Sequence, residues 1–232
     1  MIDERLVRTA ALLGERAVYR LAEAHVLLLG LGGVGGHAFD ALLRSGVGAL
    51  TVADFDTVSP SNMNRQMLAT KETLGMKKVE AAHLHAARIT DGVRLLTVSE
   101  RLTPNSVPAL LDSAHFDIVL DAIDDVPVKV ALAVAAMERS LSLVSCLGMG
   151  NRTDPTAVTV TDIAKTDTCP LARALRTRLR KAGVEHLPVV FSREAARPSQ
   201  SDGVRVASGA CVPAAAGLAL AAEALRRLTE ND

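Results

Sequence analysis

Residues 27–36, LLLGLGGVGG, join an apolar run to a glycine-rich turn. The apolar residues have the composition of a buried strand, and Gly30-x-Gly32-x-x-Gly35 has the spacing of a strand-to-helix turn that lets a phosphate approach backbone N–H groups. Asp54 lies 19 residues after Gly35 and closes the next apolar stretch, where a carboxylate can accept from a ribose hydroxyl. The stretch therefore predicts a nucleotide-binding site and leaves the nucleotide to be identified.

Strand and helix patterns alternate over residues 26–146. The predicted strands are 26–30, 49–54, 94–98, 117–121 and 142–146, and the predicted helices are 33–45, 77–90, 105–113 and 126–139. A further helix is predicted near the N-terminus, over residues 5–21. The alternation predicts an α/β fold with a Rossmann-like, doubly wound, mainly parallel sheet that is covered by helices on both faces.

The regular alternation of strand and helix patterns ends after residue 147. The pattern of the remaining residues predicts an extra C-terminal α+β portion. Its predicted elements are a strand at 157–163, a helix at 170–182, a strand at 188–191, a mobile loop at 194–208 and an apolar packed helix at 213–228. We expect residues 1–232 to form a single domain in which residues 147–212 face the substrate.

The composition of the chain restricts its class of function. Lys and Arg together number 26 and so do Asp and Glu, so there is no global attraction to a polyanion. The absence of Trp argues against an aromatic platform for stacked bases. Three cysteines without a C-x-x-C pair favour a cytoplasmic location and predict no zinc. The N-terminus lacks the apolar core of a signal peptide.

A polar cluster, Asn62, Asn64, Arg65 and Gln66, follows the second predicted strand. A nicotinamide dehydrogenase is the simplest alternative for the glycine turn, but it needs no such cluster here. A triphosphate does need one, because a guanidinium forms a planar fork for phosphoryl oxygens and amides orient the ribose and phosphates. The alternative interpretation is a solvated turn at the start of a helix, with Ser61 as its N-cap.

Two lysines, Lys77 and Lys78, begin the predicted helix 77–90. A cation at a helix N-terminus opposes the helix dipole, so this placement indicates an anion nearby. We predict that Lys78 contacts phosphate, with a pair of ordinary surface lysines as the alternative.

Three carboxylates, Asp121, Asp124 and Asp125, follow the fourth predicted strand. This position lies at the edge where open α/β sheets bind their ligands. Carboxylates beside a pyrophosphate need an intervening cation, and Mg²⁺ held by one or two carboxylates plus phosphates supplies it. We predict Asp124 as the magnesium ligand, and Asp125 as either a second ligand or the N-cap of the next helix.

A basic helix is predicted over 170–182, and Arg173, Arg176, Arg180 and Lys181 are its candidate nucleic-acid contacts. The three arginines fall on one face, which suits contact with a phosphate backbone as well as it suits a solvated surface.

The cysteines are predicted to have different environments. Cys169 precedes Pro170 and is the expected cap of the basic helix, where a thiolate is favoured and a nucleophile is one interpretation. Cys146 and Cys211 are expected to be inert core residues.

Taken together, these motifs resemble the adenylating family of ubiquitin-activating enzymes and their bacterial relatives that activate sulfur-carrier proteins. The resemblance rests on GLGGVG at 30–35, DFDTVSPSNMNRQ at 54–66, GMKK at 75–78 and DAIDD at 121–125. It implies that ATP and Mg²⁺ are the cofactors. The nucleotide-binding residues are then Gly30, Gly32, Gly33, Gly35, Asp54, Asp56, Asn62, Asn64, Arg65, Gln66, Lys78, Asp124 and Asp125. It also implies a homodimer in which Arg8 reaches the ATP of the partner subunit.

Within this family the chain is similar to the members that dehydrate threonylcarbamoyladenosine in tRNA. The similarity extends through 148–166, 169–184 and 189–194, and includes the basic helix and the lack of paired zinc cysteines. It implies ATP-dependent cyclisation through a carboxyl adenylate, with Arg8, Arg65, Lys78 and Asp124 as the catalytic residues, and with tRNA and a cysteine desulfurase system as candidate partners. Adenylation of a ubiquitin-like sulfur-carrier protein is the alternative function.

Overall fold

The computed structural model describes residues 2–167, 169–204 and 206–230. Within them, seven strands form one sheet: β1 (His25–Leu29), β2 (Ala49–Ala53), β3 (Arg94–Val98), β4 (Ile118–Asp121), β5 (Leu143–Cys146), β6 (Val158–Asp162) and β7 (Pro188–Ser192). The α-helices are α1 (Val7–Leu13), α2 (Glu15–Glu23), α3 (Gly35–Arg44), α4 (Lys78–Ala87), α5 (Val107–Leu111), α6 (Val126–Glu138), α7 (Pro170–Lys181) and α8 (Cys211–Glu230).

The sheet has the strand order β3-β2-β1-β4-β5-β7-β6, and only β6 pairs in the antiparallel sense. The chain runs outward in one direction from β1 to β3 and in the other from β4 to β7. The order therefore reverses between β1 and β4, and the crevice beyond the carboxyl ends of these two strands is where such sheets bind ligands. The predicted doubly wound, mainly parallel sheet is confirmed.

Two apolar layers enclose the sheet because alternate side chains of each strand point to opposite faces. Leu28 of β1 packs on the layer that includes α3 and α8, and Leu27 packs on the layer that includes α5, α6 and α7. The apolar helix α8 lies close against α3, since a Cβ added at Gly217 would overlap the carbonyl oxygen of Val34. This packing confirms the prediction of a buried C-terminal helix, and within the described residues no helix has the length and apolarity that crossing a membrane requires.

The N-terminal prediction of one helix over 5–21 is wrong. Gly14 interrupts it with φ +89°, a conformation that L side chains rarely adopt, and separates α1 from α2. A short 3₁₀ turn, Glu4–Leu6, precedes α1. The apolar stripe of this segment is continuous in the sequence, so it gives no sign of the break at Gly14.

The C-terminal portion contains the predicted strands and helices. β6 and β7 form an antiparallel pair at the sheet edge, and α7 packs through Ala172, Leu175 and Leu179. The described part of 194–208 contains no helix or strand, while its mobility stays a prediction. Cys211 is exposed at the start of α8, so its assignment to the core is wrong.

Candidate nucleotide-binding site

A cavity of about 960 Å³ opens at the reversal of strand order between β1 and β4. It lies at the carboxyl ends of β1, β2, β4 and β5. Its volume is at the upper end of the usual range for ligand sites, which leaves room for a nucleotide and a second reactant. Eleven of the predicted nucleotide-binding residues line it: Gly30, Gly32, Gly33, Asp54, Asp56, Asn62, Arg65, Gln66, Lys78, Asp124 and Asp125.

The glycine turn forms the floor of this cavity. Gly30 has φ +90°, and a Cβ there would lie 2.8 Å from the carbonyl oxygen of Ala122. A Cβ at Gly35 would overlap the carbonyl oxygen of Gly30, so Gly35 serves the packing of α3 behind the turn and does not line the cavity. Gly33 and Val34 face the cavity where α3 begins, and a helix N-terminus favours phosphate.

Asp54 organises the turn as well as the cavity. Its Oδ2 accepts a hydrogen bond from the N–H of Leu31 at 2.7 Å, and its Oδ1 accepts from the N–H of Asp56 at 2.9 Å. The Lys78 ammonium lies 2.7 Å from Oδ2 of Asp56 and 3.5 Å from Oδ2 of Asp54. Lys78 is 5% exposed, so it is a buried cation on the cavity wall and not one of a pair of ordinary surface lysines.

The polar cluster after β2 forms a tight turn beside the glycine turn. Ser59, and not the expected Ser61, caps the 3₁₀ turn Pro60–Asn62. The Oδ1 atom of Asn62 in turn accepts a hydrogen bond from the N–H of Ser59. Nη1 of Arg65 donates to the carbonyl of Ser61 at 2.9 Å and to Oδ1 of Asn64 at 2.8 Å. Among the described residues these are its hydrogen bonds, which leaves Nε and Nη2 available to a ligand in the cavity.

Asn64 is the member of this cluster that does not line the cavity. Its Nδ2 donates to the carbonyl of Ser208 at 2.8 Å and so joins the cluster to the segment before α8. Its contribution to the site is to hold Arg65 and this segment in place.

The carboxylates after β4 divide into three roles. Asp125 caps α6, with Oδ1 accepting from the N–H of Val128 at 3.0 Å, which confirms the capping interpretation. Asp124 is exposed at the cavity. Asp121 is buried, accepts from Nζ of Lys129 at 2.8 Å, and holds the loop through the N–H of Ile123 at 3.2 Å.

Lys129 was missed in the sequence. It is fully buried in α6, and its ammonium also donates to Oγ of Ser145 and to the carbonyl of Cys146. The available signal was a single charge within the apolar helix sequence VPVKVALAVAAM, eight residues after Asp121.

The described residues hold no group of three or more His, Cys, Asp or Glu side chains able to bind a metal. Magnesium at nucleotide sites uses one or two carboxylates, phosphate oxygens and water, so it needs no such cage. The exposed carboxylate of Asp124 beside the glycine turn therefore fits this kind of metal.

The cavity continues toward β5 and the start of α7, where Cys146, Gly148, Arg152 and Cys169 contribute to its wall. Burial raises the pKa of the Cys146 thiol to about 12, which keeps it protonated. Cys169 caps α7 without a side-chain hydrogen bond and is 5% exposed. Neither thiol is presented openly to a macromolecular substrate.

The cavity mouth contains an aromatic contact that the sequence did not reveal. The Arg101 guanidinium lies 4.8 Å from the centroid of the Phe55 ring, and both residues line the cavity. Such a cation–π pair provides a flat, partly apolar surface.

Two of the predicted groups lie outside the cavity. Arg8 is exposed on α1, a helix that buries none of its own residues. On α7, Arg173, Arg180 and Lys181 are exposed.

Arg176 differs from its neighbours on α7. It is half-buried, and its Nη1 donates to the carbonyl of Thr166 at 2.7 Å and to its Oγ1 at 2.8 Å. Arg176 therefore secures the turn before α7, and the other three predicted contacts remain on the exposed surface of the helix.

Known proteins are similar to this chain in both sequence and structure. The ThiF family model matches residues 4–232. The tRNA threonylcarbamoyladenosine dehydratase of Escherichia coli is 39% identical over 86% of this chain and 77% of its own length, and that of Bacillus subtilis is 31% identical over 97% and 94%. The crystal structure of the E. coli enzyme in complex with ATP has a TM-score of 0.90 at 35% identity and covers 98% of this chain and 96% of that one. The chain belongs to the ThiF family.

Proposed function

We propose that this chain catalyses the ATP-dependent dehydration of threonylcarbamoyladenosine in tRNA, through a carboxyl adenylate. The observation that carries the proposal is the cavity at the strand reversal, where the glycine turn, Lys78, Arg65 and Asp124 lie together. The names of the E. coli and B. subtilis relatives support the choice of substrate, because both give this reaction.

The first step joins the threonyl carboxylate to the α-phosphorus of ATP and releases pyrophosphate. Lys78 and the available Nε and Nη2 of Arg65 provide positive charge beside the glycine turn, where the phosphates bind. Mg²⁺ bound through Asp124 and the phosphate oxygens would neutralise charge on the departing pyrophosphate. The task of the protein in this step is to hold the reactants in line and to stabilise developing charge.

The second step is intramolecular. A nitrogen of the same side group attacks the activated acyl carbon, AMP departs with the former carboxylate oxygen, and a ring closes with the net loss of one water. No protein thiol is needed, which agrees with the burial of Cys169 and the protonated state of Cys146. The sulfur-carrier alternative gives either a carrier-protein adenylate or a thioester on Cys169, and the burial of Cys169 disfavours the thioester.

We include a homodimer in this proposal. No residue of α1 is buried. Its apolar side chains Val7, Leu12 and Leu13 are exposed, and Leu12 is 81% exposed. A second copy of the chain would cover these side chains and place Arg8 near the partner's phosphates.

We also propose that tRNA phosphates contact Arg173, Arg180 and Lys181. These exposed cations lie on α7, whose N-cap residue Cys169 is part of the cavity wall. The basic surface therefore begins beside the site and extends away from it, as a long polyanion requires.

The proposal is tested by incubating the full chain with ATP, Mg²⁺ and tRNA that carries threonylcarbamoyladenosine. Mass spectrometry of the digested nucleosides should show the loss of one water, with stoichiometric release of pyrophosphate and AMP. Unmodified tRNA is the control. Equal pyrophosphate release with both tRNAs would contradict the substrate, and a thioester on Cys169 with a carrier protein would favour the alternative.

A further inference from the structure

One charged side chain in the β5 part of the cavity wall has no role in the steps above. Arg152 follows β5 and is 6% exposed. The other residues that form this part of the wall are uncharged: Cys146, Leu147, Gly148, Met149, Gly150, Asn151, Cys169, Leu171, Val206 and Ser208.

Three hydrogen bonds fix the Arg152 guanidinium in one orientation. Nε donates to the carbonyl of Glu194 at 3.0 Å, and Nη1 donates to the carbonyls of Gly148 and Gly150 at 2.7 and 3.0 Å. Nη2 is buried and has no hydrogen-bond partner. Within the described residues no carboxylate lies within ion-pair distance of this guanidinium. The carboxylate of Glu194 instead accepts hydrogen bonds from the N–H groups of Thr153 and Asp154 and forms an ion pair with Arg197.

A buried guanidinium with two unused N–H groups and no counter-charge is costly. The usual complement is an anion, and each of the two N–H groups of Nη2 can donate to an oxygen of a carboxylate. The phosphates of ATP already have Lys78, Arg65 and the glycine turn in the β1 and β2 part of the cavity. The other anion of the proposed reaction is the carboxylate that attacks the α-phosphorus.

We propose that Nη2 of Arg152 binds the carboxylate of the acid to be adenylated and orients it toward the nucleotide. This inference rests on the proposed function and adds to it the residue that selects an ionised acid. Arg152 acts at the carboxylate itself, while Gly148, Gly150 and Glu194 hold its guanidinium still.

Binding requires a small shift of the cavity wall, since Nη2 has no accessible surface here. The segment 206–208 is the adjacent part of that wall. Val206 lies against Gly150, and Ala207 is joined to Asn151 by two hydrogen bonds of 2.6 and 2.7 Å. Movement of this segment would open the loop that carries Arg152.

The experiment measures the preference of the full chain for a free acid over its methyl ester. Two RNA oligonucleotides, one bearing threonylcarbamoyladenosine and one its methyl ester, are titrated by calorimetry with α,β-methylene-ATP and Mg²⁺ present. We expect the wild type to bind the acid roughly ten- to a hundredfold more tightly than the ester, as for hydrogen bonds to a charged group. Arg152→Gln should reduce this ratio toward one, while the affinity for the nucleotide alone changes by less than about twofold.

Arg197→Gln is the matched control, since Arg197 is an exposed arginine that contacts the same Glu194. It should keep the wild-type ratio. If Arg152→Gln fails to fold, Arg152→Lys keeps the positive charge and removes the Nη2 donors, and its acid-to-ester ratio should lie between that of the wild type and one. A crystal structure of the wild-type ternary complex should place a carboxylate oxygen about 2.7–2.9 Å from Nη2.

The outcomes separate the two proposals. An unchanged acid-to-ester ratio in the folded Arg152 variants, or a carboxylate bound elsewhere in the crystal, would show that Arg152 only secures its loop, and would overturn this inference alone. A wild type that binds neither oligonucleotide would overturn the proposed function and this inference with it.

Discussion

Asp124 and Asp125 are adjacent in the chain and have different tasks. The Asp125 carboxylate accepts from a backbone N–H of α6, while the Asp124 carboxylate is exposed at the cavity. The same pair of residues therefore separates a contribution to stability from the proposed contribution to metal binding.

Asp125→Ala should lower the free energy of unfolding by about 1 kcal/mol, the usual cost of losing a helix N-cap. Asp124→Asn should change it by less than about 0.5 kcal/mol, since a surface position is altered. Urea unfolding measures the stability of both variants. Calorimetry of ATP binding with and without Mg²⁺ measures the metal dependence. Asp124→Asn should abolish the magnesium dependence, and retention of that dependence would remove Asp124 from the metal site.

Arg65 and Lys78 are the predicted phosphate contacts, and their environments make Arg65 the cleaner test. Lys78 is buried between Asp54 and Asp56, so its removal leaves two carboxylates without their cation and also destabilises the fold. Arg65→Ala should lower the rate of pyrophosphate release by about 100-fold or more, as for loss of one transition-state donor. Its melting temperature should stay close to wild type, and Arg44→Ala, an exposed arginine on α3, is the control. A rate near that of Arg44→Ala would contradict the assignment.

At the scale of the elements, the periodicity of hydrophobic residues predicted most of the strands and helices. β1 to β5 are short apolar runs followed by helical patterns, and each lies within one residue of the predicted bounds. The break at Gly14 was not predicted, because the apolar stripe of residues 5–21 continues on both sides of this glycine. The glycine turn was predictable since it directly follows a strand end, and Lys78 was predictable since a cation at a helix N-terminus indicates an anion nearby. Arg152 was not, because its partner Glu194 lies 42 residues away.

Lys129 joins α6 to β4 and β5 through buried polar contacts. Lys129→Met should lower the free energy of unfolding by about 3–5 kcal/mol, since it leaves the carboxylate of Asp121 buried without its cation. The double variant Asp121→Asn, Lys129→Met should recover part of this loss. Urea unfolding measures both, and Lys165→Met is the exposed control. Equal stability of Lys129→Met and the control would show that the ion pair contributes nothing.

We expect His25 to make the stability of the fold depend on pH. Its Nε2 lies 2.8 Å from Oγ1 of Thr51, and burial, followed by the positive charge of Arg94, lowers its pKa, with Asp117 opposing the shift. A lowered pKa means that the folded state binds fewer protons than the unfolded state, so stability is full above about pH 6.5 and decreases as the pH falls below it. Urea unfolding at pH 7.5 and pH 5.5 should show a smaller decrease for His25→Gln than for the wild type. An identical decrease in both proteins would exclude this residue as the cause.

At the scale of the whole molecule, the reversal of strand order brings together groups from distant parts of the sequence. Gly30, Lys78, Asp124 and Arg152 all meet at this one cavity because four strands end there. The exposed α1 supports the proposal that a second copy of the chain covers this helix and completes the site.

A mixture of two inactive variants tests the contribution of the partner subunit. Arg8→Ala and Arg65→Ala homodimers should each be nearly inactive, and equal mixing after subunit exchange should restore about a quarter of wild-type activity, since half of the dimers would contain one complete site. Leu12→Glu should shift the chain to monomers in analytical ultracentrifugation. No recovery on mixing would place Arg8 in its own subunit or outside the site.

The fate of the carboxylate oxygen tests the central claim most directly. The full chain is incubated with ATP, Mg²⁺ and tRNA whose threonylcarbamoyl carboxylate carries ¹⁸O, and the released AMP is analysed by mass spectrometry. If the carboxylate attacks the α-phosphorus in this cavity, one labelled oxygen will be found in AMP for each ring formed. Labelled inorganic phosphate, or AMP without label, would contradict a carboxyl adenylate.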